Sequence, residues 1–427
     1  SWGGWSSGGI GSNGSTFTKS GAGILAITSG FGSSTSLALS VTAGSLRLSS
    51  GNSFTGKTTV ASGAKLRIAA DSSLGNAPGT AVADQLKLTG ATLEVSAGGV
   101  SLAANRGVTI ASGVTFDNTS SGSTSAFTVG GIIAGSGGLT LYSTGNTSAS
   151  GGGDGGLGMV LSGANTFTGD VTVLSGLVTA SSNFGNAANK IVLNGGGLLD
   201  NTSGATISRE INVLGSSYFR TYGGASTIAS GLLTGTGTLT RTDGGNLTLS
   251  GDLSGFTGTI AHAISTVTTT LSGSSAGLGS GSIVTLSNGT LEFASGRLGS
   301  ATVQMSGGTL RWASGNTSDA AARISLQAGQ TAYLNTNGNN VSFASGLGTQ
   351  TTASVTKSGN GTLTLTNGTT SISSLNVTGG ALTVNGASLT TAGTFGLENV
   401  TFTHTSGTTS VNRLATSNNS GAMTTVD

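Results

Sequence analysis

Cysteine is absent from all 427 residues, which excludes a disulfide framework, a thiol nucleophile and any zinc site built on sulfur. Proline occurs once, so a collagen-type triple helix, with its abundant proline, is excluded as well. Charge is scarce: 16 basic and 14 acidic side chains make up 7% of the chain, where about 25% is usual. Cations so few and so nearly balanced cannot line a long phosphate track, and no nucleic-acid partner is expected. The isoelectric point of about 9.0 reflects an excess of two charges rather than a basic face. Apolar runs stop at four or five residues, as at Gly131-Ile132-Ile133-Ala134, far short of the roughly 18 that span a bilayer. The opening Ser1-Trp2-Gly3-Gly4-Trp5 has no basic-then-apolar leader. The expectation is that a signal peptide has been removed, or that the chain is part of something longer.

What the chain has instead is glycine, 77 residues or about 18%, against a usual share of about 7%. Disorder does not follow, because 35% of residues are hydrophobic and the net charge is only +2, the reverse of a disordered composition. Apolar and small polar residues alternate with a period of two at Leu86-Lys87-Leu88-Thr89, Leu247-Thr248-Leu249-Ser250, Leu363-Thr364-Leu365-Thr366 and Leu375-Asn376-Val377-Thr378. That period buries one face of a strand and wets the other. Tight turns are marked by Asn194-Gly195, Asn288-Gly289, Asn337-Gly338, Asn367-Gly368 and Asn385-Gly386. Helical spacing is nowhere sustained; residues 319–323 could make one turn at most. The chain reads as all-β.

Self-similarity says more. Gly51-Asn52-Ser53-Phe54-Thr55-Gly56 recurs as Gly163-Ala164-Asn165-Thr166-Phe167-Thr168-Gly169 and as Gly251-Asp252-Leu253-Ser254-Gly255-Phe256-Thr257-Gly258. About twenty residues after each phenylalanine comes a second marker, Leu74-Gly75, Phe184-Gly185 or Leu278-Gly279. Gly131-Ile132-Ile133 returns as Gly231-Leu232-Leu233, and Thr18-Lys19-Ser20-Gly21-Ala22-Gly23 as Thr356-Lys357-Ser358-Gly359-Asn360-Gly361. Short strands, frequent turns and drifting repeats without linkers predict a β-solenoid, a parallel β-helix in a single elongated rod, rather than an array of sandwiches. At about 20–25 residues per coil and ~4.8 Å per layer this is about 19 coils and about 90 Å. Phe54, Phe167 and Phe256 are expected as core fillers at one corner, with the threonine outward and the glycine permitting the bend. Residues 1–15 read as a Gly/Ser/Trp segment, 16–395 as the solenoid and 396–427 as a C-terminal strand or cap.

These motif residues resemble the bacterial autotransporter-associated, or passenger-associated, β-strand repeat: an apolar-x-Leu-x-Gly-x-Asn-x-aromatic-Thr-Gly pattern followed by a Leu-Gly. Leu48 to Gly75 and Leu161 to Gly185 fit it well, and Leu249 to Gly279 less well. Leu86–Val95 and Asn105–Ile110 look like the segment that usually follows. The resemblance covers most of residues 16–390. It implies a secreted, right-handed parallel β-helix on a bacterial surface and implies no chemistry. A leader and a C-terminal membrane barrel, usual companions of the repeat, are not among these residues, so a cleaved passenger and a free-standing filament protein are both open.

Several motifs suggest chemistry and are better read as structure. Gly51 to Thr58 matches the phosphate-loop pattern G-x-x-x-x-G-K-T, but a strand and a turn follow where a helix is required. The other copies carry no lysine, so Lys57 is read as solvated. Gly151 to Leu157 holds one Asp154, where calcium rolls need an acid every nine residues. Carboxylates are scattered; only stacking of coils could bring together Asp71 with Glu94 or Asp243 with Asp252, as a polysaccharide-active enzyme would need. His262 and His404 are too few for a metal site and are read as surface residues. No catalytic residue, cofactor or metal is expected. Trp2 and Trp5, two of only three tryptophans, suit anchors for a neighbouring subunit. The expectation is therefore a secreted, non-enzymatic filament subunit of the cell surface whose partner is itself, head to tail. A passenger adhesin that binds surface glycans through loops such as 142–158 stays open, as does the polysaccharide-active enzyme.

Overall fold

The computed structural model describes residues 14–31, 36–49, 51–120, 126–143, 157–200, 204–221, 226–265, 267–417 and 425–426. The chain divides into two compact units, Ser1–Asn201 with Arg209–Tyr218, and Thr202–Ser208 with Phe219–Asp427. Both are all-β, with parallel strands stacked as a β-solenoid of about 18 turns in total. Leu46 pairs with Leu66 and Leu291 with Leu310, so a coil takes about 20 residues.

The first unit carries three parallel ladders. One runs from Thr16–Lys19 through Ala38–Val41, Thr58–Val60, Val82–Thr89 and Arg106–Ala111 to Ile133–Gly135. A second starts at Ile24–Ile27 and Ser45–Leu48, and a third at Ser101–Leu102 and Phe127–Val129. Alternation along each strand aims every second side chain inward. Register then stacks like on like: Leu46, Leu66, Leu93, Phe116, Leu141, Val173, Leu193 and Val213 form one column of successive Cα partners, each at most 1% exposed. Burial of such a side chain stabilises by roughly 1.5–3 kcal/mol.

The second unit repeats the plan, with Leu249, Leu271, Phe293 and Trp312 in one column. Trp312 is fully buried between Phe293 and Phe343, at ring-centroid distances of 5.2 and 6.1 Å. From residue 348 onward the strands lengthen, as in Gly348–Ser358, Ala381–Glu398 and Thr401–Ser417, and turn corners at register shifts instead of breaking. Position 395, where the sequence suggests a C-terminal segment, lies within the strand Ala381–Glu398.

Turn chemistry follows the sequence. The glycines of all five Asn-Gly pairs have positive φ, the conformation those dipeptides tolerate. Helical residues among those described are limited to two 3₁₀ turns, Asp71–Leu74 and Ala321–Arg323. Just past many strands sits a Ser or Thr whose hydroxyl donates to a carbonyl at the end of the strand one coil back: Thr42 to Lys19, Ser96 to Ile68, Thr119 to Val95 and, one residue short of the strand end, Thr378 to Lys357. These hydroxyls bond backbone of the adjacent coil rather than one another.

Candidate functional site

The repeated Thr-Lys-Ser-Gly motif folds into a cage for its own cation. Its lysine lies at or next to the end of a strand with the side chain inward, and the following glycine turn brings carbonyl oxygens around the ammonium. Lys19 Nζ donates to the carbonyls of Ser20, Gly21 and, one coil on, Ala43, at 2.7–3.0 Å. Lys357 Nζ does the same with Gly359, Gly361 and Gly379. Three donors meet three acceptors, the full capacity of an ammonium. Burial pushes Lys357 down to about 8. Arg241, in Thr240-Arg241-Thr242-Asp243-Gly244-Gly245, occupies a related place: its guanidinium reaches the carbonyls of Phe219 and Gly245 and the hydroxyl of Thr221. It is fully buried, and desolvation lowers it to about 9.

A second set of cations serves the Leu-Gly corners. The carbonyl of each motif phenylalanine accepts an amide from the coil above, Asn76 to Phe54, Asn186 to Phe167 and Gly279 to Phe256, so the Phe-Thr-Gly and Leu-Gly markers stack one layer apart. The corner carbonyls left over are taken by arginines. Arg106 donates to Leu74 and Gly75 and pairs with Asp71. Arg209 donates to Phe184, Asn186 and Asn189, with its guanidinium 5.7 Å from the Phe184 ring centroid. Arg297 donates to Ser275, Ala276 and Gly251. Desolvation lowers both Arg209 and Arg297. Asn52 and Asn165, the motif asparagines, accept the amides of Phe31 and Ile133 and donate to Ser73 and Asn183. The third copy has Leu253 there, and Arg297 supplies the donors instead.

Phe54, Phe167 and Phe256 are fully buried, and Thr55, Thr168 and Thr257 face solvent. The motif glycine acts differently from expectation. Gly56, Gly169 and Gly258 do not have positive φ; a Cβ at these positions would overlap the backbone of Leu37, Gly138 and Gly237 in the preceding coil. Close approach, not a bend, is what they permit.

The carboxylates considered for catalysis are engaged separately. Asp71 holds Arg106, Glu94 lies 2.9 Å from Lys65 and 3.2 Å from Arg67, Asp243 holds Arg220, and Asp252 accepts the Ser254 amide. Lys57 is half-exposed and pairs with Asp84 at 2.7 Å, ahead of a strand, Thr58–Val60. Among the described residues no group of three His, Asp or Glu side chains could hold a metal ion, and no helix is long and apolar enough to cross a membrane. Two surface depressions are lined by Thr356, Asn376, Thr394 and Glu398 among others, and by Val160–Ala164 with Ser181–Asn183. The first holds one carboxylate, the second none.

No family model, curated protein or solved structure matches the chain.

His262 corrects the expectation of a surface histidine. Alternation in Thr259–His262 turns Ile260 and His262 inward, leaving His262 1% exposed with neither ring nitrogen bonded. It is Cα partner to Arg241, and desolvation, with the Arg241 charge, lowers it to about 3. His404 is exposed. Sequence reasoning missed the roles of Lys19, Lys357, Arg106, Arg209, Arg241 and Arg297. The sequence signal for the lysine cages is the recurrence of Thr-Lys-Ser-Gly, a cation followed directly by a glycine turn. Trp2, Trp5, Asp154 and most of loop 142–158 lie outside the described residues.

Proposed function

We propose that this chain is a non-catalytic structural protein of a bacterial surface that assembles with copies of itself. The observation that carries the reading is the use made of its few charges. Among the described residues six cations are buried: Lys19, Lys357, Arg106, Arg241 and Arg297 are bonded to backbone carbonyls, and Arg220 is paired with Asp243. A catalytic cation or acid has to face substrate; these face corners of their own coils. The polar exterior of Ser, Thr and Asn, and the resemblance to passenger repeats, support an extracellular location. Parallel ladders also end in strand edges that can take up another strand.

Negative-stain microscopy of the purified chain over a range of concentrations tests the assembly: end-to-end fibres are expected, and dispersed single particles at every concentration would overturn it. A panel of surface polysaccharides, assayed for new reducing ends and unsaturated products, tests the absence of catalysis. Turnover of any of them would overturn that part.

A further inference from the structure

The two lysine cages sit in matching surroundings. Thr42 bonds the Lys19 carbonyl through both its amide and its hydroxyl, and Thr378 does the same to Lys357. Phe17 pairs with Leu39 as Val355 pairs with Leu375, and Leu25 with Leu46 as Leu363 with Leu382. The coil that begins at Thr16 is thus a structural copy of the one that begins at Ser354. They differ on one face. Behind the later copy lies another coil, with Ala332 on Val355, Leu334 on Lys357 and Val341 on Leu363. Among the described residues no strand takes that place for Thr16–Lys19, which is the edge of its sheet. Phe17, Leu25 and Ile27 are only half-buried there, and Ile24 is 62% exposed.

A complementary face exists in the second unit. The column Ala332, Val355, Leu375 and Phe395 continues to Leu414. The first four are at most 4% exposed, whereas Leu414 is 48% exposed. Leu414 is a core residue by register that lacks the layer above it. The adjacent column runs Leu334, Lys357, Val377, Leu397 and Thr416. Among the described residues only Thr401 and Phe402 of the strand Thr401–Ser417 have a partner on the outer edge.

We propose that Arg413–Ser417 of one copy pairs in parallel with Thr16–Lys19 of a second copy, seating Leu414 on Phe17 and Thr416 on Lys19. This rests on the self-assembly reading above and deepens it by naming the two faces and their register. The internal copy fixes that register: Val355 stands to Leu375 as Phe17 to Leu39, so the apolar column ending at Leu414 continues into Phe17, and the one ending at Thr416 into Lys19. The faces are different, so the contact is heterologous and every added copy presents a fresh edge.

The absence of cysteine gives a clean background for the test. A Phe17→Cys chain is mixed with a Leu414→Cys chain and treated with a short bis-maleimide. The expected product is a covalent dimer of one chain of each kind, with neither variant dimerising alone. In the unmodified chain, amide exchange at Thr16–Lys19 and Arg413–Ser417 should slow by at least about tenfold on assembly. Fibres without the mixed dimer and without that protection would overturn the register and leave self-assembly standing. A chain that stays monomeric at all concentrations, with both edges exchanging freely, would overturn both. Dimers of Phe17→Cys alone would show two like ends meeting and overturn the heterologous contact.

Discussion

A cation taken out of water must recover its hydrogen bonds or lose its charge, and at single residues this protein recovers them from its own main chain. Arg106, 1% exposed, satisfies two carbonyls and Asp71 together. Arg106→Met would leave two buried acceptors without a donor and the part-exposed Asp71 with only the Ala103 amide, and should cost about 3 kcal/mol in denaturant titration, the low end for a broken buried pair. Lys357→Met leaves three carbonyls without a donor and no stranded charge, so a smaller loss of about 1–3 kcal/mol is expected. His262 is the opposite case, buried with nothing to bond. Its folded value near 3 lies below the ordinary 6.5, so as pH falls through that window the unfolded chain takes up a proton that the folded chain refuses. The stability contributed above pH 6.5 is thus progressively lost down to about pH 3, by on the order of a few kcal/mol. His262→Leu should raise stability at neutral pH and flatten its fall between neutral and acid, as read from denaturation midpoints. An unchanged pH slope in the variant would assign the acid sensitivity elsewhere.

For the elements, the spacing of backbone layers decides what can be substituted. Gly258→Ala puts a methyl group into the Gly237 carbonyl of the coil below and should cost about 1–3 kcal/mol through overpacking. Gly79 has open space around its Cβ position and no positive φ, so Gly79→Ala should be neutral or gain about 0.4–1 kcal/mol. Equal melting temperatures for the two variants would show that the layers yield more easily than this. Much at this scale was legible in the sequence. Alternation of Leu with Thr, as at residues 363–366, set the strands. The Asn-Gly pairs set the turns, and the spacing from Phe54 to Leu74 is one coil. The reason for the motif glycine was not legible, because φ is a local property whereas the approach of Gly237 to Gly258 depends on how two coils stack. His262 and the caged cations escaped for the same reason: a period of two says which residues face inward, but not which carbonyls await them there.

In the whole molecule, both units are held by repetition of one contact, a strand lying in parallel on the strand one coil before it. Stability is then close to a sum of neighbouring layers, and few of those layers depend on paired charges. The buried cations bond chiefly to neutral carbonyls, whose dipoles lie within hydrogen-bond distance and inside the protein, where salt screens little. Among the described residues exposed pairs such as Lys57–Asp84 and Lys190–Glu210 are few, and pairing of that kind in solvent contributes little. With a net charge of only +2, long-range repulsion is also small. The melting temperature should therefore move by no more than about 2 °C between about 0.02 M and about 1 M sodium chloride, a range over which the screening length falls from roughly 20 Å to 3 Å. A large loss on adding salt would mean that surface ion pairs, and not the carbonyl cages and the apolar columns, hold the coils together.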